Sequence, residues 1–101
     1  LQMSDSKDYN ESSNRTFVLE VSNKMGIHAR PAAMIVRIAT RYSGEIWIDK
    51  EGEKVNAKSI MGIMMLAAAK GTQLTFDCNG KESIEFEREI RELFASKFQD
   101  E

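Results

Sequence analysis

The amino-acid sequence predicts one α+β domain in which a four-stranded antiparallel sheet carries three helices on one face. The chain of 101 residues has the length of a single domain. Short segments in which every second residue is apolar alternate with longer segments whose apolar residues recur every three or four positions. These segments follow one another in the order β-α-β-β-α-β-α. A ferredoxin-like fold has a related order, so the order alone leaves the strand topology open.

The first half of the chain holds the first strand and the first helix. Phe17, Leu19 and Val21 are each two residues apart, which predicts a strand with one buried face. Residues 22–27 are interpreted as a loop. A helix is expected over 29–40, because its apolar residues share one face: Ala32, Ile35, Val36 and Ala39.

The second half of the chain holds the remaining strands and helices. Strands are expected over 45–49 and 54–57, joined as a hairpin by a turn. Ser59 opens a short helix that is expected over 60–69. A fourth strand and a last helix complete the pattern, with the apolar residues Leu74, Phe76 and Cys78 in the strand and Phe86, Ile90, Leu93, Phe94 and Phe98 in the helix.

Composition argues against several classes of function. The net charge is −2, from 14 basic and 16 acidic residues, so the chain lacks the basic footprint of a nucleic-acid binder. With one cysteine and one histidine, neither an intrachain disulfide nor a metal site is expected, and no cofactor is expected either. Neither a signal peptide nor an apolar run of about 18 residues is visible in the sequence, so we expect a cytoplasmic protein without a membrane span. Residues 1–14 are interpreted as a flexible tail that precedes one domain over 15–101.

The stretch GIHARPAA, from Gly26 to Ala33, is the most informative part of the sequence. His28 stands where the loop becomes a helix, and the backbone N–H groups of a first turn lack partners within the helix. Pro31 fits such a turn, and Arg30 offers a forked charge that matches phosphate oxygens. The pattern therefore indicates a receptor for a phosphoryl group. Taken alone, a single histidine at a helix start is more often a cap or a surface residue than a nucleophile.

Two segments, 26–33 (GIHARPAA) and 58–64 (KSIMGIM), closely resemble the motifs of the HPr family, the histidine-containing phosphocarriers of the bacterial phosphotransferase system. The resemblance extends from Thr16 to about Phe98. It implies an HPr-like open-faced β-sandwich and a carrier rather than an enzyme. It also implies that His28 accepts a phosphoryl group on Nδ1 from enzyme I and donates it to EIIA-type proteins. By the same resemblance, Arg30 helps to hold the phosphoryl group.

Ser59 has two interpretations. Its hydroxyl is a suitable N-cap for the second helix, because it can accept a hydrogen bond from an N–H group of the first turn. By the resemblance, Ser59 is also the target of an ATP-dependent HPr kinase/phosphorylase. A phosphate there would add about −1.5 to −2 charges beside the surface that receives partners.

A docking surface is expected on the first two helices. If Ile63 and Leu66 face the core, the neighbouring apolar residues project to solvent, although they could instead be part of the core. Arg30, Arg37 and Arg41 share one face of the first helix and form a basic ridge. This ridge predicts partners whose apolar pockets are surrounded by acidic residues, unless the three arginines are only a solvated charged face. The residues expected to dock partners are Ala33, Arg37, Ile60, Met61 and Met64.

Three functions stay open at this point. The chain is a sugar-transport phosphocarrier, a carrier of the nitrogen-type regulatory branch, or an interaction module that is regulated at Ser59 and binds a transcription factor. The resemblance implies that modules of the third kind lack the histidine, so the presence of His28 argues against it. We expect a monomer.

Overall fold

The computed structural model describes residues 14–99. Within them the chain forms four strands and three α-helices in the expected order, β-α-β-β-α-β-α. A 3-10 turn follows the last helix. The bounds are β1 Arg15–Glu20, α1 Ala29–Ala39, β2 Ile46–Lys50, β3 Glu53–Asn56, α2 Ile60–Met65, β4 Gln73–Cys78, α3 Ser83–Ala95 and the 3-10 turn Lys97–Gln99.

The sheet has the strand order β1-β4-β2-β3, and every neighbouring pair is antiparallel. This order decides the topology that the sequence left open. Strand β4 lies between β1 and β2, so that Phe76 is opposite Phe17 on one side and Ile48 on the other. All three side chains are buried, as the two-residue period of each strand predicts.

The core lies between the sheet and the three helices, which confirms the α+β class. The Phe17 and Phe76 rings are stacked with their centroids 5.3 Å apart, and the Phe94 ring meets Phe76 edge-on at 5.7 Å. Offset and edge-on pairs are the arrangements that aromatic rings favour. Helix α1 contributes three small or branched side chains with no exposed surface: Ala32, Ile35 and Ala39.

The second helix is shorter than the sequence predicts. The expectation of a helix over 60–69 is wrong at its carboxyl end, because α2 ends at Met65. Ala67 adopts a left-handed backbone with φ 50°, and the next residue, Ala68, turns into the core. The carbonyl of Ala68 then accepts a hydrogen bond from the backbone N–H of Ile27, at 2.9 Å. Helix propensity favours alanine, but this contact with a distant segment outweighs it.

Phe98 does not belong to the last helix, contrary to the prediction. Helix α3 ends at Ala95, and the turn Lys97–Gln99 has three residues with φ values of 54°, 56° and 58°. The Phe98 side chain is nevertheless fully buried, with its ring centroid 4.9 Å from that of Phe94. Left-handed backbone is unfavourable for residues with a side chain, so burial of this ring is what holds the turn.

The predicted tail, residues 1–14, lies outside the described residues except for Asn14. Its Oδ1 accepts a hydrogen bond from the backbone N–H of Gly80, at 3.0 Å. Among residues 14–99, no helix combines the length and the apolar character that crossing a bilayer requires.

Candidate functional site

His28 is the N-cap residue of α1, and it is exposed to solvent. Its backbone is extended, with φ −90° and ψ −163°, and its side chain makes no capping hydrogen bond. The carbonyl of His28 accepts the first bond of the helix, from the N–H of Ala32 at 3.0 Å. The imidazole therefore does not serve as the helix cap, which was the simpler interpretation of a lone histidine at this position.

The amino end of α1 is suited to an anion. Backbone N–H groups in a first turn have no acceptor within the helix, and Pro31 leaves one fewer of them to satisfy. The first turn of α1 contains no acidic residue, so nothing within it opposes the positive end of the helix dipole. An imidazole at this helix end lies in a region of positive electrostatic potential, which stabilises a negatively charged phosphoryl group.

The loop before His28 is closely packed against the segment that follows α2. Gly26 has φ 74°, and a Cβ atom on it would lie only 2.6 Å from the carbonyl oxygen of Ala68. Asn23 is fully buried, and its Nδ2 donates to the carbonyl of Gly26 at 2.8 Å. The sequence reasoning missed Asn23, although an asparagine three residues before a glycine is a turn signal.

Arg30 lies two residues after His28, in the first turn of α1, but the structure gives its guanidinium partners that the sequence does not reveal. Nη2 donates to the carbonyl of Phe98 at 2.9 Å, and Nη1 lies 3.0 Å from Sδ of Met34. Arg30 and Phe98 are 68 residues apart in the chain. The left-handed turn at the end of α3 therefore helps to place the arginine of the site.

Ser59 is the N-cap of α2, as the sequence predicts. Its backbone is extended, and its Oγ accepts a hydrogen bond from the N–H of Gly62 at 3.0 Å. The side chain of Ser59 is half-buried. The cap interpretation is thus confirmed, and it leaves the hydroxyl at the end of a short helix beside an apolar surface.

The apolar residues of α2 divide between the core and the solvent as expected. Ile63 and Leu66 are buried, whereas Ile60, Met61 and Met64 are 41%, 75% and 42% exposed. We call these three exposed residues the methionine patch. Helix α1 packs against α2. The other residues expected to dock partners lie on α1, where Ala33 is half-buried and Arg37 is exposed.

The basic ridge on α1 is smaller than predicted. Arg41 lies beyond the end of the helix and pairs with Glu89 of α3, with 3.0 Å between Nη2 and Oε1. The same carboxylate accepts a hydrogen bond from the hydroxyl of Tyr42 at 2.9 Å. Burial and the neighbouring Glu89 raise the pKa of Tyr42 to about 12. The ridge is therefore reduced to Arg30 and Arg37.

The remaining reactive side chains give no second site. Cys78 is buried, and this burial raises the pKa of its thiol to about 11, so the thiol stays protonated and unreactive at neutral pH. Within residues 14–99, no group of three or more His, Cys, Asp or Glu side chains could hold a metal ion.

Comparison with known proteins decides the family. A family model described as "PTS HPr component phosphorylation site" matches residues 15–96. The chain belongs to the HPr family. This confirms the recognition made from the two sequence motifs. Members of the HPr family carry phosphoryl groups rather than catalyse a turnover reaction, and they function in the bacterial cytoplasm.

Individual HPr relatives agree with this assignment. Phosphocarrier protein HPr of Neisseria meningitidis serogroup A is 40% identical over 80 residues, which cover 79% of this chain and 90% of the relative. HPr-like protein Crh of Bacillus subtilis is 43% identical over 83 residues, covering 82% of this chain and 93% of the relative. The crystal structure of HPr from Thermoanaerobacter tengcongensis superposes with a TM-score of 0.82 at 41% identity, covering 86% of this chain and 98% of that one.

Proposed function

We propose that this chain accepts a phosphoryl group on His28 from enzyme I and transfers it to an EIIA-type protein of the phosphotransferase system. The observation that carries the proposal is the exposed imidazole at the amino end of α1, which caps nothing. This position places a nucleophilic nitrogen beside the amide dipoles at the start of a helix. Those dipoles stabilise the negative charge of a bound phosphoryl group.

The transfer uses Nδ1 of the neutral His28 ring as the nucleophile. Its lone pair attacks phosphorus and forms an N–P bond, while the bond between phosphorus and the donor breaks and leaves its electron pair with the donor. When the acceptor protein attacks in turn, the N–P bond breaks and its electrons return to the ring. The imidazole is regenerated, so His28 carries the group without net change.

Arg30 supports the phosphorylated state. Before phosphorylation its guanidinium contacts the carbonyl of Phe98 and the sulfur of Met34. A phosphoryl group with two negative charges is a stronger partner for a guanidinium than either of these neutral atoms. We expect Arg30 to exchange at least one of these contacts for a phosphoryl oxygen.

The methionine patch and Arg37 form the surface that we assign to enzyme I and EIIA-type proteins. Exposed methionines adapt to partners of different shape because their side chains are flexible and polarisable. A basic residue next to an apolar surface favours partners whose apolar pockets have acidic rims. One surface could therefore serve several partners in turn.

Regulation at Ser59 is the second part of the proposal. An HPr kinase/phosphorylase would add a phosphate to the Oγ that now caps α2. The new negative charge would stand at the amino end of the helix that carries the methionine patch. It would repel the acidic rims of the same partners, so phosphorylation at Ser59 should weaken docking.

A regulatory role is the alternative, and one observation favours it. Relatives of similar identity carry two names, phosphocarrier protein HPr and HPr-like protein Crh. The alternatives are a carrier of the nitrogen-type branch and a module that binds a transcription factor after phosphorylation at Ser59. The histidine at the helix start supports a carrier over such a module.

The state of assembly also belongs to this proposal. We expect a monomer, whereas solved relatives include a dimer of HPr from Thermoanaerobacter tengcongensis and a domain-swapped dimer of Crh from Bacillus subtilis. Light scattering coupled to size exclusion should give a mass close to 11.5 kDa. A mass near twice that value would show a dimer and contradict the expectation of a monomer.

Labelling with radioactive phosphoenolpyruvate tests the carrier function. The chain is mixed with enzyme I and then with an EIIA protein. Because the chain contains one histidine, acid-labile label on histidine reports His28 alone. We expect label on the chain, transfer to EIIA, and no label on the folded His28→Ala variant. Acid-labile label on that variant would overturn the assignment, and label without transfer to EIIA would favour the interaction module.

The regulatory part is tested with a pair of matched variants. Aspartate and asparagine are both good N-caps, so Ser59→Asp and Ser59→Asn differ mainly in charge. We expect enzyme I to phosphorylate the aspartate variant more slowly than the asparagine variant. Equal rates would remove the electrostatic argument for regulation at Ser59.

A further inference from the structure

We infer that Asn23 is a positioning residue for the phosphorylation of His28, acting through the backbone carbonyl of Gly26. This inference rests on the proposed function of His28. It concerns the loop between β1 and α1, in which Asn23 has no exposed surface.

The buried amide and the histidine share one acceptor. Nδ2 of Asn23 donates to the carbonyl oxygen of Gly26 at 2.8 Å, and the backbone N–H of His28 donates to the same oxygen at 3.1 Å. The carbonyl of Asn23 also accepts the N–H of Gly26, at 3.2 Å, which closes a turn. The position of the His28 backbone is thus linked to a side chain five residues earlier.

The rest of the loop is held from the other side. The backbone N–H of Ile27 donates to the carbonyl of Ala68 at 2.9 Å, and Gly26 approaches that carbonyl too closely to admit a side chain. These contacts fix the loop against the segment after α2. Within the loop held in this way, the hydrogen bond from Asn23 sets the direction of the Gly26 carbonyl.

Asn23 is poorly suited to a purely stabilising role. Its Oδ1 is buried and accepts no hydrogen bond from any residue between 14 and 99. A buried acceptor without a donor lowers the stability of the fold, and this cost offsets the stability that the Nδ2 hydrogen bond contributes. The side chain is therefore better explained by where it holds the Gly26 carbonyl than by the stability it adds.

The direction of this carbonyl matters because of its charge. Its oxygen carries partial negative charge and precedes His28 by two residues. If it turned toward the phosphoryl group it would repel that anion, and the His28 amide would lose its acceptor. Loss of the Asn23 hydrogen bond should therefore slow the transfer step, and it should leave the contact with enzyme I, made mainly by the methionine patch, nearly unchanged.

The test compares Asn23→Ala and Asn23→Asp with Ser83→Ala. Ser83 is a matched control, because it is also buried and its Oγ donates to a carbonyl three residues away, that of Gly80, at 2.8 Å. It follows β4, whose end pairs with the beginning of β1, so it lies at the opposite end of the sheet from Asn23. Rates of phosphorylation by enzyme I are measured over a range of carrier concentrations.

We expect both Asn23 variants to lose about tenfold or more in kcat, while KM stays within about twofold of the unchanged chain. Ser83→Ala should leave both constants within about twofold. Unchanged kcat in the Asn23 variants, or an equal loss in Ser83→Ala, would overturn the inference. Absence of label on the unchanged chain would instead refute the proposed function of His28.

A measurement on the unchanged chain covers the case in which the variants fail to fold. The side-chain N–H protons of Asn23 should exchange with solvent more slowly than those of the exposed Asn79. Their NMR resonances should also shift when His28 is phosphorylated, whereas those of Asn79 should not. Resonances of Asn23 that do not respond to phosphorylation would overturn the inference.

Discussion

Replacing Phe98 with alanine removes a buried ring and disturbs the partner of Arg30 in one step. The Phe98 ring packs at 4.9 Å from Phe94, and its carbonyl accepts the hydrogen bond from Nη2 of Arg30. The turn that contains it has three left-handed residues without glycine. The variant therefore tests whether burial of a single ring holds both the turn and the arginine in place.

The size of the effect follows from two opposing contributions. Truncation of a buried phenylalanine to alanine costs about 3–5 kcal/mol. Left-handed backbone costs about 1–2 kcal/mol for each residue with a side chain. If the turn relaxes once the Phe98 ring is removed, part of this cost is recovered. We therefore expect a net loss of about 3 kcal/mol, at the low end of the range. For a domain of this size, that corresponds to a decrease in Tm of about 12–24 °C.

The assay combines thermal unfolding, followed by circular dichroism, with the rate of His28 phosphorylation at a temperature where the variants are folded. Phe86→Ala is the control, because Phe86 is also a buried ring but lies within α3 and packs against Phe17 and Tyr42 instead. Both variants should lose stability, and only Phe98→Ala should slow phosphorylation. Equal rates for the two variants refute the link to the arginine, and a Tm decrease below about 5 °C refutes the account of the turn.

Three further predictions concern stability. Ser59→Ala removes the N-cap of α2 and should lower the free energy of unfolding by about 1 kcal/mol in urea titrations, and a loss near zero would argue against the cap. Gly26→Ala should destabilise the chain by about 2 kcal/mol or more, because its methyl group would meet a backbone carbonyl at 2.6 Å; unchanged stability would show that the loop can move aside. Burial alone would raise the pKa of Glu87, but hydrogen bonds from Arg91 and Arg15 outweigh it and hold the pKa below its usual value. The stability that Glu87 contributes is complete above its unfolded pKa of about 4.3 and is lost as the pH falls through the lower folded value. Glu87→Gln should therefore be less stable by about 1 kcal/mol at pH 7, and the difference should disappear in acid; a difference independent of pH contradicts this.

Several features of this chain could be predicted from the sequence because they depend on residues only two to four positions apart. The alternation around Phe17 and Phe76 identified strands. Placing Ile63 and Leu66 in the core predicted that the methionine patch is exposed, although the spacing alone left open whether the patch belongs to the core. Ser59 was identified as a cap because the bond to Gly62 is also local. The place of His28 at a helix start followed from the same kind of local pattern.

Other features were decided by contacts between distant segments. Arg30 and Phe98 are 68 residues apart, and Arg41 and Glu89 are 48 apart, so no local pattern could pair them. The early end of α2 depends likewise on the hydrogen bond from Ile27 to Ala68. In each case local propensity pointed elsewhere and was outweighed by burial or by a hydrogen bond made across the fold.

Asn23 stands between these two cases. Its bond to Gly26 spans three residues and is a local turn. Its complete burial, however, comes from elements that the chain reaches only by folding. The sequence by itself determined which segments are strands and helices and that His28 stands at the start of α1, because short-range geometry sets periodicity and capping. Only the tertiary structure decided where α2 ends, what holds Arg30 and which side chain fixes the loop before His28, because burial and long-range hydrogen bonds arise from packing distant segments together.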